Sequence, residues 1–198
     1  MPARYFLSSY VAACVKSEEA TSLERYEPIE SNFLIRRIAE GKRPCKLKGS
    51  LTPVNDIAFL ERSGEPSLVL SGDGEGQLRG WNVRSNLPVF KVPANDGGVN
   101  CIATLPESSL ALSAGDDRTI TLWDLHSSCE GSALSSKPVR VYSGHMGFVT
   151  GCAFEPEGTV FASTSLDNTI CVWHRDSVCP VFTLQTQRPC GSVSFVPG

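Results

Sequence analysis

Few side chains in this 198-residue chain have the types and spacing that catalysis requires. Its three histidines are His126, His145 and His174, and none belongs to an H-E-x-x-H metal motif. No G-x-S-x-G elbow and no P-loop occurs. The glycine-rich run 72–76 lies between two strand-like runs rather than ahead of a helix, so it predicts a hairpin turn and not a phosphate cradle. The sequence therefore predicts a non-enzymatic protein with no catalytic, cofactor-binding or metal site.

Composition and charge are those of an ordinary globular protein. The formal net charge is −3 and acids and bases are interspersed, which indicates neither a nucleic-acid partner nor a membrane surface. The eight cysteines are scattered without the two-residue gap of a zinc knuckle or redox motif, which predicts reduced thiols in a reducing compartment. The fairly apolar run 5–15 favours a strand or packed segment over a targeting signal.

An internal repeat organises most of the chain. Trp81, Trp123 and Trp173 each end a strand-like run, at spacings of 42 residues (81 to 123) and 50 residues (123 to 173). Four short apolar runs separated by glycine, proline and acidic turns make up each unit, which predicts antiparallel sheet. Four strands in about 42 residues is the period of a β-propeller blade.

The third unit resembles the WD-repeat family most fully. It contains Gly144-His145, then Ser163, Asp167, Thr169 and Trp173. In that family the matching aspartate, histidine, serine and tryptophan form a hydrogen-bonded chain, so the resemblance implies a structural blade network here. Its expected members are His145, Ser163, Asp167 and Trp173 in the third unit, Ser113, Asp117 and Trp123 in the second, and Trp81 in the first.

The first two units depart from the family pattern. In the second unit Asn95 stands where the histidine belongs. The first unit has Ser50 in place of histidine, Glu75 at the position of the turn acid, Gln77 for the threonine and Asn82 after the tryptophan. We therefore expect blades of graded regularity, with the third the most complete.

The predicted fold is all-β: an incomplete β-propeller of four-stranded antiparallel blades. The blades span residues 49–92, 93–142 and 143–184, with a partial fourth at 185–198, and residues 1–48 form an N-terminal extension. Within the extension, 33–38 suits either a short helix or a strand, and 44–47 suits a strand that closes the last blade. Propellers typically have about 4–8 blades, so this arc is closed either by further sequence of a longer protein or by another chain.

Partners of WD-repeat proteins often dock on the face built from the loops before the first strand and between the second and third strands. The candidate binding residues on that face are Asn95, Asp96, Asp116, Arg118, Met146, Phe148 and Asn168. Phe148 is either a binding hot spot or packs on the neighbouring blade. Arg118 either anchors a partner carboxylate or is an ordinary solvated arginine.

The resemblance implies a scaffold for protein–protein interaction, a subunit or adaptor of a larger complex in the cytoplasm or nucleus. One alternative is a substrate receptor of a cullin-type ubiquitin ligase, because Trp81-Asn82-Val83-Arg84 resembles the W-D-x-R box of some WD-repeat proteins, with Asn for Asp. A second alternative is an accessory propeller of a longer enzyme. Fold alone does not choose among these.

An open arc leaves strand edges and blade faces uncovered, and such edges are templates for pairing with other chains. We therefore expect this chain, expressed alone, to self-associate or to be poorly soluble. Light scattering tests this, and a clean monomer at micromolar concentration would contradict it.

Overall fold

The structure is a computed structural model that describes residues 10–15, 31–37, 45–50, 52–61, 67–83, 85, 87–126 and 138–196. All regular elements in these ranges are β-strands, as predicted, and no helix among the described residues is long and apolar enough to cross a membrane. The chain divides into two compact units, 1–53 and 54–198.

The first unit contains one three-stranded antiparallel sheet in the order β1-β2-β3. Its strands are β1 (Tyr10–Val15), β2 (Ser31–Arg37) and β3 (Cys45–Ser50). Residues 10–15 of the apolar run near the N-terminus thus form a strand, whereas 5–9 lie outside the described residues, and 31–37 takes the strand alternative rather than the helix. The role of 44–47 as a closing strand stays a prediction.

The second unit contains three four-stranded antiparallel sheets, which are the predicted propeller blades. In each blade the strands follow one another in chain order across the sheet. Blade one has β4 (Val54–Leu60), β5 (Leu68–Asp73), β6 (Gln77–Asn82) and β7 (Pro88–Pro93); blade two has β8 (Val99–Thr104), β9 (Leu110–Gly115), β10 (Thr119–Asp124) and β11 (Pro138–Ser143); blade three has β12 (Val149–Phe154), β13 (Val160–Ser165), β14 (Thr169–His174) and β15 (Pro180–Gln185).

A tight turn joins the second and third strands of each blade, and it needs one residue with positive φ. That residue is Gly76 in blade one (φ 76°), Arg118 in blade two (φ 66°) and Asn168 in blade three (φ 64°). Glycine adopts this conformation at little cost, and asparagine tolerates it better than most residues. Arginine does not tolerate positive φ as well, so the remaining contacts of the turn in blade two must keep Arg118 in this conformation.

The hydrophobic core lies between neighbouring blades. Leu70, Leu78 and Val92 of blade one belong to one buried cluster with Ala111 and Trp123 of blade two. A second cluster joins blade two to blade three in the same way and contains Leu112, Ile120, Tyr142, Phe161 and Trp173. Each blade therefore buries one face against the tryptophan strand of the next, and the burial of these apolar side chains drives the stacking.

The exposure of the fourth strand in each blade depends on whether another blade covers it. Val92, Tyr142 and Leu184 pair with equivalent residues of the third strand in blades one, two and three. Val92 and Tyr142 are buried, and the Tyr142 ring meets the rings of Phe161 and Trp173 edge-on at centroid distances of 4.8 and 5.9 Å. Leu184 is 49% exposed, because no further blade among the described residues covers it.

Residues 186–196 lie beside the first strand of blade three but form no strand. The Thr150 hydroxyl donates to the carbonyl of Cys190 at 2.6 Å. The same strand position makes the matching bond in the two complete interfaces, from Asn55 Nδ2 to the Val99 carbonyl (2.9 Å) and from Asn100 Nδ2 to the Val149 carbonyl (3.1 Å). Cys190 thus has the place that Val99 and Val149 have at the start of their blades.

The equivalence of Tyr142 and Leu184 gives a matched pair of substitutions. Tyr142→Ala removes a fully buried ring and should lower the free energy of unfolding by about 3–5 kcal/mol. Leu184→Ala trims a half-exposed side chain and should cost about 1 kcal/mol or less. Urea denaturation followed by tryptophan fluorescence measures both, and equal losses would contradict the assignment of blade faces.

Candidate protein-binding face

A chain of hydrogen bonds crosses blade three from its core to the turn between its second and third strands. The indole N–H of Trp173 donates to the Ser163 hydroxyl at 2.8 Å, and that hydroxyl lies 2.7 Å from Nε2 of His145. On the other side of the ring, Nδ1 lies 3.1 Å from the Asp167 carboxylate. Thr169 completes the group, with its hydroxyl donating to Asp167 at 2.5 Å.

The donors and acceptors of this chain fix its proton order. Because Ser163 accepts from the indole, its own proton is free to go to Nε2 of His145. Nδ1 then carries the ring proton and donates to Asp167. The neutral imidazole therefore satisfies every group, which matters because Ser163 and His145 are both buried.

Asp167 is the electrostatic anchor of the turn. Burial alone would raise the pKa of this carboxyl, but donors from Thr169, the Met146 backbone and His145 hold the pKa well below its usual range. The stability that Asp167 contributes is thus present above the ordinary carboxyl pKa and is lost in acid as pH falls below it. Burial lowers the pKa of His145, but its hydrogen bonds with Cys171 and Asp167 raise the pKa, and the net shift is upward.

Blade two builds the same chain with an amide in place of the imidazole. Trp123 donates to Ser113 at 3.0 Å, and Ser113 donates to Oδ1 of Asn95 at 3.0 Å. Nδ2 of Asn95 then donates to Asp117 at 3.0 Å, and Thr119 also donates to that carboxylate. An amide presents one acceptor and one donor, as a neutral imidazole does, so Asn95 substitutes for the histidine with a group that does not titrate.

Blade one replaces the chain with an ion pair that the sequence alone did not reveal. Asp73, at the end of β5, accepts the backbone N–H groups of Glu75 and Gln77 at 3.0 and 2.9 Å. Its carboxylate also pairs with Arg79 at 3.4 Å, while the side chain of Glu75 is exposed. The turn acid of blade one is therefore Asp73. The signal in the sequence was the acid directly ahead of Gly74, two residues before the family position.

This rearrangement leaves buried polar atoms in blade one. Ser71, which matches Ser113 and Ser163, has a buried hydroxyl with no hydrogen-bond partner among the described residues. Nε of Arg79 is in the same condition. Each such atom costs free energy. Among the described residues, blade one has two of them and blade three has one, Oδ1 of Asn168.

The turn carboxylates also fix the loop that precedes each first strand. Asp167 accepts the backbone N–H of Met146 at 2.7 Å, and Asp117 accepts that of Asp96 at 2.9 Å. The backbone N–H of Leu166 donates to the Phe148 carbonyl at 2.9 Å, which links the loop before β12 to the turn after β13. The internal network thus sets the position of the outward-facing residues.

Blade three presents an apolar group on this face, which we call the apolar tip: Met146, Phe148 and Leu166. Met146 is 80% exposed, Phe148 48% and Leu166 50%. Phe148 and Met146 were predicted from the sequence as candidate contacts, whereas Leu166 was missed. Leu166 follows the buried strand β13 directly, and only the hydrogen bond between the two loops shows that it joins the other two.

The polar candidates on the face differ in what they offer. Arg118 and Asp96 are exposed. Asp116 is half-buried and accepts from Asn100 at 2.8 Å, and Asn168 is half-buried with positive φ. Asn95 is buried and its amide is engaged in the blade network, so its polar atoms support the face from within.

The ligase-receptor hypothesis depends on the run 81–84, which resembles a W-D-x-R box. Trp81 is buried, and Asn82 caps the following turn by accepting the backbone N–H of Ser85 at 3.1 Å. Arg84, which carries the resemblance to the W-D-x-R box, lies outside the described residues. That hypothesis therefore stays a prediction.

Comparison with known proteins identifies the repeats. The family model described as "WD domain, G-beta repeat" matches residues 86–124 and 136–174. In the solved structures, a chain from the crystal structure of the mitotic checkpoint complex superimposes with a TM-score of 0.72 at 20% identity, covering 86% of this chain and 49% of that one. This likeness shows the propeller fold.

Curated relatives are similar over more than half of this chain. The chain is 42% identical over 114 residues to a ribosome biogenesis protein, the WDR12 homolog of Chlamydomonas reinhardtii, which covers 56% of this chain and 26% of that protein. It is 31% identical over 126 residues to the serine-threonine kinase receptor-associated protein of Dictyostelium discoideum (63% and 39%). It is also 31% identical over 124 residues to the ribosome biogenesis protein YTM1 of Coccidioides immitis (61% and 25%). The chain thus spans well under half the length of these relatives.

Asn95→Asp tests the amide substitution in blade two with a change of one atom. It replaces the donor that faces Asp117 by a second carboxylate, which we expect to cost about 3 kcal/mol of unfolding free energy at pH 8. At pH 5 the loss should be smaller, because the like charge raises the pKa of the new carboxyl and a proton restores the bond. Urea denaturation at both pH values measures this; a pH-independent loss below about 0.5 kcal/mol would contradict it.

Proposed function

We propose that this chain, whose repeats match the WD-repeat family model, acts as a non-enzymatic scaffold that binds other proteins within a larger complex. The observation that carries the proposal is the exposed apolar tip, held in place by the buried network of blade three. Large apolar side chains grouped at the surface are typical of protein interaction sites, and aromatic residues are frequent hot spots.

The rigidity of the tip supports a role in recognition. The backbone of Met146 is bonded to Asp167, and Asp167 is bonded through His145 and Ser163 to the buried Trp173. A contact residue whose position is fixed before binding loses less conformational entropy when its partner arrives. The blade network therefore supports binding, although none of its polar groups needs to touch the partner.

The relatives suggest which assembly this scaffold serves. Two of them are named as ribosome biogenesis proteins, and each alignment covers more than half of this chain. We propose that the complex belongs to ribosome biogenesis and that the protein acts in the nucleus. The serine-threonine kinase receptor-associated relative is also similar to this chain and has a different name, so similarity alone does not select this assembly.

The open face of blade three is a second surface for a protein. Leu184 is 49% exposed at the position where Tyr142 in blade two is buried by its neighbour, and Phe182, which matches the half-buried Arg140, is 58% exposed. The surface that suits them is another blade with a tryptophan on its third strand, from the same polypeptide or from another chain.

Affinity purification with quantitative mass spectrometry tests the role of the apolar tip. A tagged chain carrying Met146→Ser, Phe148→Ser and Leu166→Ser should recover its partners at least about tenfold less than the parent, as expected when hot-spot residues are truncated. The matched control is Val178→Ser, which changes a 53% exposed apolar residue in the turn between β14 and β15. Circular dichroism verifies that both variants are folded.

The outcomes separate the hypotheses. Partners that include ribosome biogenesis proteins and are lost only from the triple variant support the proposal. Undiminished recovery by the triple variant would show that the tip is not the binding site. Recovery of a ubiquitin-ligase adaptor that is lost on Arg84→Ala would favour the ligase-receptor alternative.

A further inference from the structure

Two free cysteines from different blades lie in contact. Cys101 is on β8, the first strand of blade two, and Cys152 is on β12, the first strand of blade three. Their sulfur atoms are 3.2 Å apart, with the thiol of Cys101 donating to Cys152. We propose that this pair is an oxidation site, at which hydrogen peroxide cross-links blades two and three through a disulfide.

The contact follows from how neighbouring blades interlock. Cys101 is the third residue of β8 and Cys152 is the fourth residue of β12, so the two are not equivalent positions of the repeat. The preceding interface uses the same offset, because the third residue, Asp56, accepts the backbone N–H of the fourth, Ile102, at 2.7 Å. At the interface that follows blade three, the third residue of the first strand, β12, is Gly151, which has no side chain to reach the neighbouring segment. Among these three interfaces, only the second places two thiols together.

Burial favours reaction within the pair over reaction with other molecules. Cys101 is 7% exposed and Cys152 is half-buried, so a molecule as small as hydrogen peroxide is the suitable oxidant. The hydrogen bond with Cys101, burial and the carboxylate of Asp56 all raise the pKa of Cys152. Once one sulfur has been oxidised, the other is already in contact with it, so the second step does not require an unusually reactive thiol.

The reaction balances with peroxide alone. The sulfur of one cysteine, having lost its proton, attacks one oxygen of the peroxide; the O–O bond breaks, and a sulfenic acid and water result. The second sulfur then attacks the sulfenic sulfur, the S–S bond forms, the S–O bond breaks and a second water leaves. Two thiols are oxidised and one peroxide is reduced. A disulfide bond length is about 2.05 Å, so the sulfurs move about 1 Å closer together.

Peptide mapping of the peroxide-treated full chain tests the proposal. Trypsin releases Cys101 in the peptide 92–118, and a glutamate-specific protease then cuts after Glu157 and separates Cys152 from Cys171. We expect a linked pair of peptides, lighter by two hydrogens than their sum, that disappears on reduction. Oxidation should also raise the melting temperature of the chain by several degrees, because the cross-link restricts the unfolded state.

Three variants serve as controls. Cys101→Ser and Cys152→Val should abolish the linked peptide and the rise in melting temperature; valine is suitable because the matching residues of other units, Ile57, Ile102 and Val193, are also aliphatic. Cys179→Ser removes an exposed thiol and should leave both signals intact. The proposal is overturned if excess peroxide leaves Cys101 and Cys152 unlinked in the folded parent chain, or if Cys101 links mainly to another cysteine.

Discussion

The carboxylate in the turn between the second and third strands of each blade is the interaction on which the arc depends. Asp117 and Asp167 each bind backbone and side-chain donors of their own turn and the backbone of the preceding loop. They are also the last members of chains that begin at a buried indole. One group thus joins the core, the turn and the outward loop. A buried polar chain is favourable only when every member is satisfied, which explains why its residues occur as a set.

Blade one shows that the constraint applies to the turn and not to a particular residue. Asp73 caps the turn from a position two residues earlier than the family acid, and Arg79 balances its charge. The substitution leaves Ser71 with a buried hydroxyl that has no partner among the described residues. Blade two solves a smaller problem with Asn95, whose amide reproduces the donor and acceptor of a neutral imidazole. Chemical equivalence, rather than residue identity, is what the blade requires.

Stacking of the blades supplies the apolar part of the stability. Tyr142 is buried because blade three follows it, whereas its equivalent Leu184 is exposed. The same interlocking that buries Tyr142 brings Asp56 to the backbone of Ile102 and Cys101 to Cys152. A side chain in this fold therefore has an environment set by its neighbour's sequence as much as by its own blade.

The sequence by itself determined the all-β class and the four-stranded blades, because strand periodicity and turn residues are local signals that recur at each tryptophan. The residues expected to form the blade networks came from the family resemblance and not from periodicity. The sequence also indicated Phe148 and Met146 as surface residues. Only the tertiary structure decided that Asp73 caps the first turn, that Asn95 completes its network from within, that Leu166 joins the apolar tip and that Cys101 meets Cys152. The cap by Asp73 is local, but it depends on the conformation of the turn. The other three are contacts between segments distant in sequence or between blades, and their geometry depends on loop positions and on the offset between stacked sheets, which no single segment encodes.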